Sequence, residues 1–334
     1  MEKILIVGHG LAGAVLAQTL IQAGIQVSIV EPDFPHHASK VAAGLINPLI
    51  GQKLNPPDKI SECLRINQRF FEPFNNLLGK SLYEAIKLHR VFLDEKQVSA
   101  WERGGFPFDS LILERQRLSS NYFENHNLYA PYGGGLTRAF KLDVPSLLSC
   151  SKKILKDLGC WESRPYRESD VDDFSKVIFC EGFRGKDNQW FESLPFTPAQ
   201  GEVLKLPACC SIPVSNGTWL LPEGVNFCRA GSTWKHQDLE CGPTIKGKNE
   251  IIEKLSFLNA SPGKAIDHLS GVRSATKDRM PLIGSHPFNP KILIFNGFGS
   301  RGATTIPYFA EKMVNFLFEQ SPLPSEVDIK RFYE

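Results

Sequence analysis

Apolar residues fall along this chain in short blocks closed by glycine, and block length separates strand from helix. Ile4–Val7 is a four-residue apolar run, short enough for a buried parallel strand. After Gly8-His9-Gly10-Leu11-Ala12-Gly13, the stretch Ala14–Ala23 predicts a helix ended by Gly24. Val27–Val30 predicts a second strand ending at Glu31, which completes one βαβ unit. Leu64–Leu78 reads as an amphipathic helix carried by Leu64, Phe71, Phe74, Leu77 and Leu78 and stopped at Gly79. Residues 85–135 predict strands and turns with scattered aromatics, including a turn at Tyr132–Gly135. Val144–Leu158 reads as a helix, and Lys176–Cys180 as a buried strand opening at Gly182 into a Gly/Arg/Lys loop. Residues 198–260 return to strand and turn, with Gly217–Pro222 and Phe227–Thr233 forming a hairpin around Glu223-Gly224. The end is α/β again: strand Lys291–Asn296, glycine loop Gly297–Gly302, and a helix over 305–319 with Pro307 in its first turn. Ile306, Phe309, Met313, Phe316 and Leu317 share one face of that helix. Alternation of α/β and β-rich stretches predicts two interleaved domains.

Composition narrows the class. With 334 residues, 42% hydrophobic and 22% charged, the chain is an ordinary globular protein and not a disordered tail, collagen or coiled coil. Lys and Arg number 38 against 36 Asp and Glu, so the whole chain carries no basic footprint for nucleic acid, although a local patch stays open. No run approaches the roughly 20 apolar residues of a membrane span. Met1-Glu2-Lys3 leads straight into the first strand rather than a signal sequence, so a cytoplasmic location without membrane insertion is expected. The eight cysteines show no C-x-x-C spacing, which argues against a zinc ribbon or redox pair and for reduced, buried thiols. Cys209-Cys210 reads as a strand pair with one thiol buried, and His36-His37 as a solvated loop pair with no metal role. Trp101, Trp190, Trp219 and Trp234 read as core or hairpin packing, with Trp219 or Trp234 able to line a pocket; Lys152, Lys153, Lys246 and Lys248 read as solvated surface.

The first βαβ unit carries the chemistry. Gly8 permits the tight turn from strand to helix, Gly10 leaves room for a pyrophosphate, and Gly13 lets helix and strand pack closely. The helix N-terminus offers free N–H groups to phosphate. Glu31 stands where a carboxylate accepts hydrogen bonds from a ribose and repels a 2′-phosphate, which argues against NADP. This motif does not separate NAD from FAD. The second glycine loop, Gly297–Gly302, favours a long cofactor whose flavin lies at that end, because a helix N-terminus stabilises the negative charge of reduced flavin. The alternative is a loop that merely caps a packing helix, and an NAD-dependent dehydrogenase is the corresponding cofactor alternative.

Assembled, these residues resemble the D-amino-acid oxidase family of FAD-dependent oxidoreductases over nearly the whole chain. Ile4–Gly13 with Glu31 is similar to its FAD-binding start, and Ala42-Ala43-Gly44-Leu45-Ile46-Asn47-Pro48 to the segment that runs along the flavin. Gln200-Gly201-Glu202-Val203 resembles the entry into the substrate sheet, with Gln200 in place of the usual Arg. Leu220-Leu221-Pro222 with Ala230-Gly231-Ser232-Thr233 resembles its hairpin. Gly271-Val272-Arg273 with Asp278–Gly284, and Asn296–Gly302, resemble its closing segments and are the most specific signal. Ser274 stands where most amino-acid oxidases have Pro. Within the family, the loop at 297–302 and the segment Arg273–Asp278 look most like the tRNA-modifying oxidase domains.

The resemblance implies an α/β, Rossmann-like FAD-binding domain made of residues 1–82, 137–195 and 268–334, interleaved with a smaller β-rich (α+β) substrate domain of 83–136 and 196–267. It implies FAD contacts at Gly8, Gly10, Leu11, Ala12, Gly13, Glu31, Ala43, Gly44, Gly182, Gly297, Gly299, Ser300, Arg301 and Gly302. The implied reaction is oxidation of a C–N bond: hydride passes from a neutral amine to flavin N5, water hydrolyses the imine, and O2 or another acceptor reoxidises the flavin. No side-chain base is required. The resemblance gives Arg273 the substrate carboxylate, the alternative being an ion pair with Asp267 or Asp278. Arg301 is expected beside the flavin edge, at substrate or in a surface ion pair, and Lys277 is expected to reach the N5 side through water. No cysteine follows Cys241, where some sarcosine oxidases attach flavin, so non-covalent FAD is expected. Three substrates or roles remain: a small-molecule amine or amino acid, a carboxymethylaminomethyl-modified wobble uridine (the one case with a nucleic-acid partner), and a non-catalytic FAD scaffold, which Gln200 and Ser274 leave open.

Overall fold

The computed structural model describes residues 3–32, 37–49, 59–104 and 111–333. Its first sheet runs in the order Leu282–His286, Asn289–Asn296, Lys176–Phe179, Lys3–Val7, Gln26–Val30, Trp161–Glu162. The first two strands form an antiparallel pair and every other neighbour is parallel. Ile4, Leu5 and Ile6 are fully buried, as the unbroken apolar run requires of a strand covered on both faces. The βαβ unit forms as expected, with its helix over Leu11–Gln22 and Gly24 in the left-handed region beyond it. The chain has the mixed α/β fold that the sequence predicts.

The second sheet orders its strands Asp267–Arg273, Ala199–Pro207, Phe227–Gly231, Trp219–Glu223, Val214–Ser215, Tyr83–Val91, Gly134–Leu142, Leu45–Ile46, with Ile112–Leu118 also on Gly134–Leu142. Its pairing is antiparallel except between Val214–Ser215 and Tyr83–Val91. The expected boundaries at 136/137 and 267/268 fall inside or at the start of strands of this sheet. Two stretches expected to hold only strands and turns also contain helices, Glu95–Arg103 and the short Ser120–Glu124 in one and Ile245–Lys254 in the other. The first buries only Gln97, Val98 and Trp101, too few apolar positions to mark a helical face, and Asp94 caps it by accepting from Gln97 N at 2.9 Å. Cys209 and Cys210 lie in a loop beyond Ala199–Pro207 rather than in a strand; Cys210 is the buried member. Gly134 and Gly135, expected in a turn, begin a strand.

The helix at the end of the chain fixes the two sheets to one core. It spans Gly302–Phe318, three residues earlier than expected, and packs against both Leu11–Gln22 and Ile60–Leu78. Pro307 therefore lies inside it and supplies no N–H to the carbonyl four residues back. That carbonyl, Ala303 O, accepts instead from Nδ2 of the fully buried Asn67, at 3.1 Å.

Candidate functional site

A cavity of about 1180 Å³ runs between the two sheets. Its floor at one end is the turn after Lys3–Val7. Gly8 takes φ +100°, and a Cβ on Gly13 would stand 1.9 Å from Gly8 O, so helix and turn meet at a distance only glycine allows. Gly10, Leu11 and Ala12 face the cavity. The Ser39 hydroxyl accepts from Leu11 N at 3.0 Å. Glu31 is in the wall; its carboxylate accepts from His9 N and stands 3.5 Å from His37 Nε2. His37 thus stands beside the Glu31 carboxylate rather than in solvent, while His36 lies outside the described residues. His9 itself is buried, with Nε2 3.0 Å from Ser151 Oγ, and burial with Lys152 nearby pushes its pKa down to about 3.

The middle of the cavity is lined by Ala42, Ala43 and Gly44. Arg229, on the hairpin, donates to Val41 O at 2.6 Å and Ala42 O at 3.3 Å and so pins that segment to the second sheet. Across from it lie Glu181, Gly182 and Arg184. Asn296 joins this loop to the C-terminal one: its Nδ2 donates to Gly182 O at 2.8 Å and its Oδ1 accepts from Gly297 N at 2.8 Å. Arg229 does not stand out in the sequence, because it works on backbone carbonyls distant in the chain; Asn296 opens a recognisable segment, but its bond to Gly182 O spans 114 positions and is not legible there. Glu181 accepts from Asn188 Nδ2 at 2.7 Å, and burial raises its carboxyl to about 7.

Gly297, Gly299, Ser300, Arg301 and Gly302 close the cavity. Three amides of this loop are taken up within the protein: Gly297 N donates to Asn296 Oδ1, Gly299 N to Ser274 O at 2.7 Å, and Arg301 N to Phe298 O at 3.1 Å. At the start of the Gly302–Phe318 helix the amides left to meet a ligand are those of Gly302 and Ala303, because Thr304 N already donates to Arg301 O at 2.9 Å. Arg301 is half-buried and donates to Arg279 O at 2.7 Å. Lys277 is exposed at the rim. Ser274 Oγ is buried in the wall with no hydrogen-bond partner among the described residues.

Arg273 ends the edge strand of the second sheet and lays its guanidinium across Gly201 on the neighbouring strand. A Cβ there would lie 2.1 Å from its NH2 nitrogen. That nitrogen donates to Ser232 Oγ at 2.7 Å, the NH1 nitrogen donates to Thr233 O at 3.2 Å, and Cζ lies 4.9 Å from the Trp234 ring centroid. Every one of these partners is neutral. Asp278 pairs with Arg331 at 3.0 Å, and Asp267 bonds the amide of His268 at 2.8 Å, so neither holds Arg273. Burial lowers the guanidinium to about 10. Trp219, Trp234, Ser215 and Asn216 complete this end. Gln200 does not reach the cavity chemistry: it is buried, donates to Gly242 O at 2.8 Å, accepts from Glu240 N at 2.9 Å, and fixes that loop.

The glycine cradle, the wall carboxylate, the orphan Ser274 hydroxyl and the cavity length suit a flavin dinucleotide. A family profile described as FAD dependent oxidoreductase (DAO) matches residues 3–137 and 153–315. A tRNA 5-methylaminomethyl-2-thiouridine biosynthesis bifunctional protein of Marinobacter nauticus is 25% identical over 96% of this chain, which spans 56% of that protein's length. A glycine oxidase of Pseudomonas aeruginosa is 19% identical, covering 96% of both chains. Among solved structures, glycine oxidase from Geobacillus kaustophilus aligns with a TM-score of 0.78 at 17% identity, covering 99% of this chain and 98% of that one. Iminodiacetate oxidase from Chelativorans sp. aligns at 0.74 and 19% identity, covering 98% of each.

Proposed function

The chain belongs to the DAO family of FAD-dependent oxidoreductases, and from that premise we propose that it oxidises the C–N bond of an amine that carries a carboxylate. The observation that supports this most is Arg273: a partly buried guanidinium in the cavity wall whose partners among the described residues are all neutral. A buried cation held only by dipoles is costly, and a carboxylate arriving in two parallel hydrogen bonds relieves that cost. FAD, held at Gly8, Gly10, Leu11, Ala12, Gly13, Glu31, Ala43, Gly44, Gly182, Ser300 and Gly302, supplies the two-electron acceptor. The protein's own part is positional: Arg273 anchors the carboxylate, Trp219 and Trp234 narrow the cavity around the amine, and the walls exclude water. Arg301 and the start of the Gly302–Phe318 helix place positive potential where a reduced flavin is anionic. Lys277, exposed at the rim, reaches the flavin only through water.

The reading divides the work between the sheets, the parallel one binding FAD and the antiparallel one presenting Arg273 and the tryptophans. It also keeps FAD non-covalent. Cys180 is the one cysteine in the cavity wall among the described residues, and its burial holds the thiol protonated, so it is no nucleophile. All flavin is expected in the supernatant after acid precipitation; flavin retained in the pellet would contradict this. Arg273→Ala is expected to keep its flavin spectrum and melting temperature while kcat/KM on a carboxylate-bearing amine falls about 100-fold or more, the loss of a buried charge-assisted pair. Normal turnover in that variant would remove the assignment.

A second substrate is favoured by the likeness to the Marinobacter protein. A carboxymethylaminomethyl group on a wobble uridine is itself a secondary amine with a carboxylate for Arg273. Turnover of such a tRNA, with KM rising steeply with salt, would select it over free amines. Bound flavin with no turnover of either would select the scaffold role.

A further inference from the structure

Trp234 is 49% exposed, so core packing does not hold it, yet its ring face is fixed against Arg273 Cζ at 4.9 Å. What fixes it is His236. Trp234 Nε1 donates to His236 Nε2 at 2.9 Å, and His236 Nδ1 lies 3.0 Å from Pro198 O. A carbonyl only accepts, so Nδ1 carries the proton, and Nε2 is left as the acceptor the indole requires. The chain Pro198 O, His236, Trp234, Arg273 therefore has one consistent set of donors, running from the backbone to the guanidinium.

We propose that Trp234, oriented by His236, is a positioning residue that holds the Arg273 guanidinium for the substrate carboxylate. This deepens the carboxylate reading of Arg273 and rests on it. Of the five N–H groups of the guanidinium, one goes to Ser232 and one to Thr233, leaving three, one of them on each terminal nitrogen. Two hydrogen bonds to neutral oxygens leave the fork free to tilt about its long stem. The indole face adds an attraction that depends on the plane of approach. Removing it should leave the cation in place but loosely aimed, so carboxylate affinity falls while flavin binding does not.

The test uses the FAD-loaded protein and acetate, a carboxylate without an amine, read by perturbation of the flavin spectrum. Trp234→Leu should weaken acetate binding about 5- to 20-fold, the size of a partly desolvated cation–π contact. Trp234→Phe, which keeps a ring face, should recover most of that. His236→Leu should cost about threefold, as expected for one hydrogen bond, and His236→Gln, which restores an acceptor, should recover it. FAD affinity and melting temperature should be unchanged in all four. Wild-type affinity in Trp234→Leu, together with lost binding in Arg273→Ala, would overturn the positioning role and leave the Arg273 reading intact. Loss of affinity that neither Trp234→Phe nor His236→Gln recovers would also overturn it. Acetate binding in Arg273→Ala equal to wild type, or none in wild type, would overturn the carboxylate reading itself and the inference with it.

Discussion

Single side chains in the cavity are set by burial more than by neighbours. Glu181 is the clearest case, its carboxyl pushed from an ordinary 4.5 to about 7 chiefly by desolvation, with Asp187 adding to the rise and Asn188 opposing it. The folded protein binds more protons than the unfolded chain between those values, so stability falls as pH rises through the window and the loss is complete above about 7. Glu181→Gln should therefore be indistinguishable from wild type near pH 4 and more stable at pH 8, on the order of 2 kcal/mol, in urea unfolding followed at both pH values. Equal stability at pH 8 would place the carboxyl in water. Gly201 shows the complementary effect of space. A Cβ there meets the Arg273 guanidinium at 2.1–2.3 Å, so Gly201→Ala should bind FAD normally and lose carboxylate affinity. Of these residues the sequence exposes Arg273 and Gly201, because they sit in recognisable segments. Glu181 has no such signal: its chemistry comes from burial, which one sequence does not display.

Among the elements, those with strict patterns were legible and those defined by contacts were not. The first βαβ unit and the hairpin at 219–231 follow from apolar runs bounded by glycine. The Glu95–Arg103 helix escapes notice because its exposed face dominates a nine-residue element, although Asp94 and Gln97 form a capping pair readable in principle. The Gly302–Phe318 helix begins early because Pro307 inside it is compensated from another helix, a contact that spans 236 positions in sequence. Asn67→Ala should leave Ala303 O unsatisfied and lower unfolding stability by about 1–3 kcal/mol, measured by chemical denaturation. A neutral substitution would mean that the carbonyl finds another donor. The same variant should bind FAD more weakly, since the helix start that closes the cavity is what Asn67 supports.

For the molecule as a whole, the interleaving of α/β and β-rich segments was legible, since strands from both halves of the chain enter each sheet. The cavity was not, because it is made where the sheets face each other. Its walls take residues from position 7 to position 306. No helix among the described residues is long and apolar enough to cross a membrane. The most direct test of the account is the visible spectrum of the purified protein, recorded without oxygen before and after adding glycine, sarcosine and a carboxymethylaminomethyl-bearing tRNA in turn. The account predicts an oxidised flavin spectrum that bleaches with at least one of these carboxylate-bearing amines and does not bleach with methylamine. A colourless protein that takes up no FAD, or a flavin that methylamine bleaches as readily as the carboxylate-bearing amines, would contradict it.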